Sequence, residues 1–357
     1  MLKTITKKVE RNERITPEEA LFLFQGDINA VGKLAHLRRQ AMVGDNAYYQ
    51  FNYNINYTNV CENECKLCAF YKDEKDGYAL TVEQIVESVK EVHAAGVNEV
   101  HVVGGLNKKL PYQYYLDMLR GIKNIDPDIH IQGFTAVEIA FFAEQAGKST
   151  RETLADFKAA GLDSLPGGGA EVFSPRVRKL ICEKKLPGED WLRITEEAHN
   201  LGICSNATML YGHLETDEEI IDHMLKLRDL QDRTGGFRAF VPLAFFRKNT
   251  EIDALARGTC GVYDMKLLAT ARVFLDNFPH LKALWMIYGY KACQVGLDYG
   301  ADDIGGTYYD EEIVHCAGAK TPKSLNKDEI CTLIRKMGRT PIEVYSNYEP
   351  VKGCLSC

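Results

Sequence analysis

The sequence predicts an α/β fold, a closed parallel (β/α)8 barrel of the TIM type with its helices outside, and three observations predict it. Strand-like and helix-like runs alternate along most of the chain, the pattern of a parallel sheet wrapped by its crossover helices. Helix-start signals recur between the strand-like runs. The chemically unusual residues gather just after strand ends, where such barrels carry their sites. A doubly wound open sheet is the competing arrangement, but no Gly-x-Gly-x-x-Gly follows the first strand.

Taken in order, residues 1–47 are polar and helical in spacing, with Thr16-Pro17-Glu18-Glu19 inside them, and read as an N-terminal helical extension. Residues 48–310 form the expected barrel core. They hold strand candidates at 51–57, 99–103, 129–134, 162–165, 203–210, 237–243 and 283–287, with a short piece at 302–304. Thr81-Val-Glu-Gln84 is a capping box ahead of Ile85, Val86, Val89 and Val92, which share one helical face. Ser149-Thr-Arg-Glu152 and Thr216-Asp-Glu-Glu219 repeat that signature, and Ser174-Pro175 offers a cap followed by proline in the first turn. Residues 311–357 are expected as a helical tail packed on the barrel, with a helix at 326–337 and a loose end from 345.

The 357 residues are 45% hydrophobic and 26% charged, which excludes a disordered or fibrous chain. A net charge of −7 disfavours nucleic acid as the main partner, since phosphate binding needs a basic face. No run approaches the roughly 18 apolar residues of a membrane span, so no membrane partner is expected. Met1-Leu-Lys-Thr-Ile-Thr-Lys-Lys8 lacks the apolar stretch of a signal peptide, and a cytoplasmic location is expected. The 11 cysteines are odd in number, and three crowd between positions 61 and 68. That points to metal or redox chemistry rather than a disulfide framework.

The triplet Cys61-Glu-Asn-Glu-Cys65-Lys-Leu-Cys68 has the spacing Cys-x3-Cys-x2-Cys. Three thiolates on one loop can each hold one iron of a cubane [4Fe-4S] cluster. The fourth iron is then open to chelate the amino and carboxylate groups of S-adenosyl-L-methionine. An electron from the cluster can cleave that sulfonium to methionine and a 5′-deoxyadenosyl radical. Structural zinc is the rival, but it wants four ligands, and the next cysteine is Cys182. Three unrelated buried thiols are the plain alternative.

Residues around the triplet fit a small-molecule site. Phe70 and Tyr71 offer aromatic cover for an adenine. Gly104 and Gly105 admit close backbone approach, although a strand-end turn asks for glycine too. Pro166-Gly-Gly-Gly-Ala-Glu171 sets an unhindered loop before a carboxylate able to accept from ribose hydroxyls or an ammonium. Thr135 and Glu138, Asn206 and His213, and Arg238, Arg247 and Asn249 fall near neighbouring strand ends.

Several longer stretches resemble the radical S-adenosylmethionine enzymes of the futalosine route to menaquinone. They are the triplet, Val102-Val-Gly-Gly-Leu106, Phe134-Thr-Ala-Val-Glu138, 160–171, 206–216, Leu230-Gln-Asp-Arg-Thr-Gly-Gly-Phe237 and Gly338-Arg-Thr-Pro341. Val241-Pro-Leu-Ala-Phe-Phe-Arg-Lys-Asn-Thr250 and Tyr57-Thr-Asn-Val-Cys61 look most like the aminofutalosine-forming branch. A cyclase sister and the deazaflavin (F420) synthase subunit share much of the pattern.

The resemblance implies that Cys61, Cys65 and Cys68 hold the cluster. It implies that Phe70, Tyr71, Gly104, Gly105, Glu171 and Asn206 hold S-adenosylmethionine, consumed as co-substrate. Thr135, Glu138, His213, Arg238, Arg247 and Asn249 are then expected at the substrate, His213 as a proton donor or carboxylate ligand. The implied reaction adds the adenosyl radical to the vinyl carbon of 3-[(1-carboxyvinyl)oxy]benzoate. Aryl migration and decarboxylation then give 6-amino-6-deoxyfutalosine. A low-potential donor such as flavodoxin or ferredoxin is implied as electron partner. Asn107-Lys108 stands where relatives are expected to carry His-Pro, and Cys354-Leu-Ser-Cys357 falls outside the shared pattern.

Overall fold

The computed structural model describes residues 1–307 and 312–351, so Cys354 and Cys357 lie outside the described residues. Among the described residues, ten strands form two sheets. Strands β1 (Asn46–Gln50), β9 (Asp303–Gly306) and β10 (Thr340–Glu343) make a small sheet with β1 in the middle. The large sheet runs in chain order through β2 (Asn52–Ile55), β3 (Glu99–Val102), β4 (His130–Gly133), β5 (Ser164–Leu165), β6 (Cys204–Tyr211), β7 (Phe237–Ala244) and β8 (His280–Leu281). All its neighbours are parallel, and the sheet curls with helices on its outer face. The expected α/β barrel architecture is the one found.

β9 spans the gap between the edges of the large sheet. It meets β8 through the bridge of Lys282 with Asp303 and pairs with β1 at Tyr48–Asp303 and Gln50–Gly306. Just beyond it, Thr307 Oγ1 accepts from Asn52 N at 3.0 Å and donates to Asn52 O at 2.7 Å.

The helices begin where their caps announce them. Thr81, Ser149 and Thr216 each close a full capping box, satisfying amides that a helix start otherwise leaves unpaired. Ser174 caps the helix Pro175–Ile181, and Asn326 caps Lys327–Arg335. The helix Asp217–Thr234 buries Ile220, Ile221, Met224, Leu227 and Leu230 at helical spacing against the sheet. The N-terminal helices Pro17–Gln25 and Ile28–Val43 pack on Gly261–Phe274.

Three stretches differ from the sequence expectation. The segment expected to stay helical up to residue 47 ends in β1, whose partner β10 comes from the supposed tail, with Asn46 opposite Thr340. The apolar run at 283–287 is not a strand; β8 is the shorter His280–Leu281, and Trp285 already starts a helical stretch that reaches Asp298 with a break at Gly289. A short apolar run reads as either element by periodicity, and here Trp285 is drawn inward by donating Nε1–H to Gly306 O at 2.8 Å.

Charged groups close the N-terminal end of the barrel. Asp302 is fully buried; it pairs with Arg272, lies 2.6 Å from His280 Nδ1 and accepts from Leu281 N at 2.7 Å. Burial alone would raise the Asp302 carboxyl, but Arg272 and these donors hold it below the usual carboxylate range. Arg272→Met leaves that carboxylate without its cation and should cost about 3–5 kcal/mol, the usual loss when one partner of a buried pair is removed. Lys226→Ala, which removes an exposed helix-surface pair with Asp222, should cost less than about 0.5 kcal/mol. Urea unfolding of the two variants checks both, and equal midpoints would contradict the assignment.

Candidate active site

The cysteine loop leaves the C-terminal end of β2 and is stitched to the strand ends around it. Gly105 N donates to Thr58 O at 2.8 Å, and Glu62 N to Leu106 O at 3.2 Å. A Cβ on Gly105 would lie 2.2 Å from Val60 O, so only glycine lets the chain after β3 press against the loop. Within the loop, Cys68 N donates to Cys65 O at 2.9 Å, and Glu64 takes a left-handed φ of 46°. Cys61, Cys65 and Cys68 are all free thiols, and all three line one cavity of about 400 Å³, a volume ordinary for small ligands.

The thiols suit a cluster better than a single ion. Among the described residues no three His, Cys, Asp or Glu side chains converge as they would around one metal. A cubane instead keeps its thiolates apart, because each binds a different iron. Burial pushes the Cys65 thiol up to about 12 and raises Cys68, with Lys185 opposing both shifts. Cys65 and Cys68 therefore favour the protonated thiol, and a bound metal would supply the charge that ionises them.

Around the cysteines, three strand ends are tied to one carboxylate. Glu138 is the third residue of the helix Ala136–Ala146 and closes a capping box with Thr135. Its Oε2 accepts from Thr135 N at 2.7 Å and Thr135 Oγ1 at 2.8 Å. Its Oε1 accepts from Tyr57 OH at 2.8 Å, after β2, and from Gly104 N at 3.0 Å, after β3. Burial raises the Glu138 carboxyl against the pull of these donors. Thr135 and Glu138 line the cavity, but the four donors already engage both Glu138 oxygens, so Glu138 acts as a clamp.

The next wall comes from the loop after β5, the strand β6 and the segment ahead of the helix Gly188–Asn200. Gly167 takes φ +80°, and a Cβ there would lie 2.2 Å from Asn206 O. Thr208 Oγ1 donates to Gly167 O at 2.7 Å, and Trp191 Nε1 to Gly168 O at 3.0 Å. Glu171 meets Lys185 Nζ at 2.6 Å, both largely buried. Burial opposes ionisation of Glu171, yet Lys185 holds its carboxyl below the usual range. Phe70, Tyr71, Gly104, Gly105, Glu171 and Asn206 all line the same cavity as the cysteines.

The structure does not bring His213, Arg238, Arg247 or Asn249 to that wall. His213 is fully buried beyond the end of β6. Its Nε2 lies 2.9 Å from Leu210 O, and its Nδ1 stands against Leu214 N and Glu215. Arg238 sits near the start of β7, at the opposite end of the barrel, with Nη1 3.4 Å from Gly235 O. Arg247 pairs with Asp253 at 3.3 Å, and Asn249 Nδ2 donates to Cys316 O at 2.8 Å, both on exposed loop. Sequence reasoning missed Lys185 and a set of polar lumen residues: Asn56, His101, Gln132, Thr208 and Lys282. Asn52, Asn54 and Asn56 recur every second residue along and just beyond β2, a period-two polar pattern that marks one inward face.

The chain matches known proteins along its whole length. Residues 55–227 match the Radical SAM superfamily, and residues 234–354 match the CofH/MqnC C-terminal region. The chain is 42% identical to the aminodeoxyfutalosine synthase of Thermus thermophilus, over 98% of this chain and 95% of that one. It is 41% identical to the 5-amino-6-(D-ribitylamino)uracil–L-tyrosine 4-hydroxyphenyl transferase of Methanopyrus kandleri, over 93% and 92%. It is 40% identical to the cyclic dehypoxanthine futalosine synthase of Streptomyces coelicolor, over 98% and 88%. The crystal structure of methylornithine synthase superposes with a TM-score of 0.73 at 14% identity, covering 94% of this chain and 97% of that one. The FeFe-hydrogenase maturase HydG of Carboxydothermus hydrogenoformans gives 0.74 at 16% identity, covering 97% and 80%. No helix among the described residues is long and apolar enough to cross a membrane.

Two expectations follow from the geometry. Gly105→Ala forces the cysteine loop off Val60; after anaerobic reconstitution, iron per chain should fall severalfold while the far-ultraviolet circular dichroism stays put. Unchanged iron would show that the loop tolerates the methyl group. Glu215 accepts from Gly212 N at 2.6 Å and His213 N at 2.9 Å. Burial works against its ionisation, but His213 and these amides lower its carboxyl from 4.5 to about 2. A carboxyl that binds its proton less tightly when folded contributes stability above its unfolded pKa and loses it as pH falls through the folded one. Stability should therefore decline between about pH 4.5 and 2, and Glu215→Gln should flatten that decline in acid unfolding curves.

Proposed function

Because the chain belongs to the radical SAM superfamily, an enzyme family that uses a [4Fe-4S] cluster and S-adenosylmethionine, we propose that it is an aminofutalosine synthase. In this reading it joins the adenosyl group of S-adenosylmethionine to 3-[(1-carboxyvinyl)oxy]benzoate and yields 6-amino-6-deoxyfutalosine. The observation that carries it is one cavity shared by three cysteines, a carboxylate–lysine pair and a lumen with apolar walls above a polar floor, in a chain similar over 98% of its length to a synthase of that name.

When bound, the cluster supplies the electron that cleaves the sulfonium. The rest is the work of this chain's residues. Cys61, Cys65 and Cys68 would hold the cluster, which would supply the binding point for the methionine amino and carboxylate groups. Phe70 and Tyr71 cover the adenine. The backbone at Gly104 and Gly105, with Glu171 and Asn206, positions the nucleoside, Glu171 being kept ionised by Lys185 and able to accept from hydroxyls. Thr135 and Glu138 fix the strand ends beneath it. Val103, Val241, Leu243, Leu284 and Met286 keep water from the reacting carbon. A low-potential flavodoxin or ferredoxin is the proposed electron source.

A second reading stands on the 41% identity to the tyrosine 4-hydroxyphenyl transferase of Methanopyrus kandleri. One anaerobic assay decides between them. The reconstituted enzyme, reductant and S-adenosylmethionine labelled in the adenosyl carbons are given the enolpyruvyl benzoate, and products are read by mass spectrometry. Adenosyl label in 6-amino-6-deoxyfutalosine is expected, and serine at Cys61, Cys65 or Cys68 should abolish it. Free 5′-deoxyadenosine formed in step with turnover, or turnover only with tyrosine and 5-amino-6-(D-ribitylamino)uracil, would refute the reading.

A further inference from the structure

Inward of the cysteine loop the cavity runs on into the barrel, and its inner wall is polar where barrel interiors are ordinarily filled by branched apolar side chains. His101 on β3 and Gln132 on β4 are register partners. Partners on adjacent strands share a face, and both side chains line the cavity. Neither His101 Nε2 nor Gln132 Nε2 has a hydrogen-bond partner, although both atoms are buried. Gln132 is 5% exposed. Leaving a buried polar group unpaired is destabilising, and native proteins rarely do it without a reason. Two such groups side by side on one cavity wall mark a place where a ligand completes the pairing.

The neighbourhood says which ligand. Lys282 lines the same cavity; its Nζ donates to Gln50 Oε1 at 2.8 Å and stands 3.3 Å from Asp303 Oδ2 as an ion pair. Burial, reinforced by Lys282, pushes the His101 imidazole down to about 4. The ring is therefore neutral near pH 7, and its single N–H can sit on whichever nitrogen the ligand asks for. A neutral imidazole N–H, an amide NH₂ and a nearby ammonium favour an anion with two acceptor oxygens. The walls between this floor and the cysteines are Val103, Val241, Leu243, Leu284 and Met286, which suit a flat apolar ring. Asn56 Oδ1 and Asn206 Oδ1 are buried acceptors without partners on the same cavity, and they suit donors rather than a second acid.

We propose that His101 and Gln132, with Lys282 behind them, form a subsite that receives an aromatic carboxylate and so sets which end of the substrate points away from the cysteines. The assignment rests on the proposed function, where it takes the ring carboxylate of the enolpyruvyl benzoate and leaves the vinyl group toward the mouth. His101 and Gln132 act as specificity residues.

Equilibrium binding to the reconstituted holoenzyme with S-adenosylmethionine tests this without turnover. The probes are 3-(1-carboxyethoxy)benzoate, a saturated analogue with both acids; 2-phenoxypropanoate, which lacks the ring acid; and 2-(3-hydroxyphenoxy)propanoate, which carries a phenol there. Calorimetry should show the diacid binding about 10–100-fold more tightly than the other two, the range expected for hydrogen bonds to a charged group. Gln132→Leu and His101→Phe should each remove most of that preference and leave 2-phenoxypropanoate almost unchanged. Because the substituted groups are unpaired in the free protein, neither variant should lower the melting temperature.

No preference for the ring acid in the wild type overturns the subsite, as does a preference for the phenol. Equal losses for all probes together with a lower melting temperature would mark the two residues as structural and overturn it as well. If the preference holds but the enolpyruvyl benzoate gives no adenosylated product, the proposed function falls and the aryl-carboxylate subsite stands.

Discussion

Glu138 holds together the ends of three consecutive strands. Its two oxygens take Tyr57 OH, Gly104 N, Thr135 N and Thr135 Oγ1, so the exits of β2, β3 and β4 converge on one buried carboxylate. Each exit carries something the site needs: the cysteine loop after β2, the paired glycines after β3, and the start of the helix Ala136–Ala146 after β4. A carboxylate in that position is costly to bury alone, and burial does raise its pKa. The donors compensate by making it the acceptor for groups that would otherwise be unpaired. Loops are normally the mobile part of a barrel mouth; here the first three begin from a shared anchor.

The loops above this anchor are fixed by backbone rather than by side-chain packing. Gly105 lets one loop touch the carbonyl of another at Val60, and Gly167 lets its loop touch the carbonyl of Asn206 on β6. Contacts of that kind leave no room for adjustment, and they set where the thiols and the Glu171–Lys185 pair face one another. The cavity they enclose is then shaped by main chain, which suits a cofactor recognised largely through its polar backbone-like groups.

Most of what is local was legible in the sequence. The cysteine spacing, the capping boxes at Thr81, Ser149 and Thr216, and seven of the eight strand positions come from patterns a few residues long. What escaped depends on partners far away in the chain. β1 is a strand because Thr340–Glu343 returns to pair with it, and nothing near Asn46 foretells that. His213 shows a subtler failure. Its position just past a strand end is right for a site residue, but its ring is turned toward Leu210 O and Leu214 N, a direction that sequence spacing does not encode. Arg238 failed for an opposite reason, since it lies near the beginning of its strand and the mouth of a barrel is at the ends. The lumen residues His101 and Gln132 were overlooked because each, alone in a short strand, resembles an ordinary polar interruption. Only the register that sets them side by side gives them meaning.

Polar groups along the barrel axis differ in how fully they are paired. At the closed end, Asp302 is met by Arg272, His280 and Leu281 N, and Glu99 by Ser346 N at 2.5 Å and Ser346 Oγ at 2.6 Å. Asp303 takes Gln50 and Tyr348 as well as Lys282. Farther in, on the cavity wall, Asn56, His101, Gln132 and Asn206 each keep a buried atom with no partner. A chain selected for stability alone would replace such groups with apolar ones of the same shape, at little cost or with gain. Buried atoms without partners occur elsewhere too, at Tyr115, His223 and Thr270, but four gathered on the wall that also carries the cysteines form a surface whose hydrogen bonds are completed by something that arrives. Paired ends make the frame rigid, and the unpaired middle is where the frame does its binding.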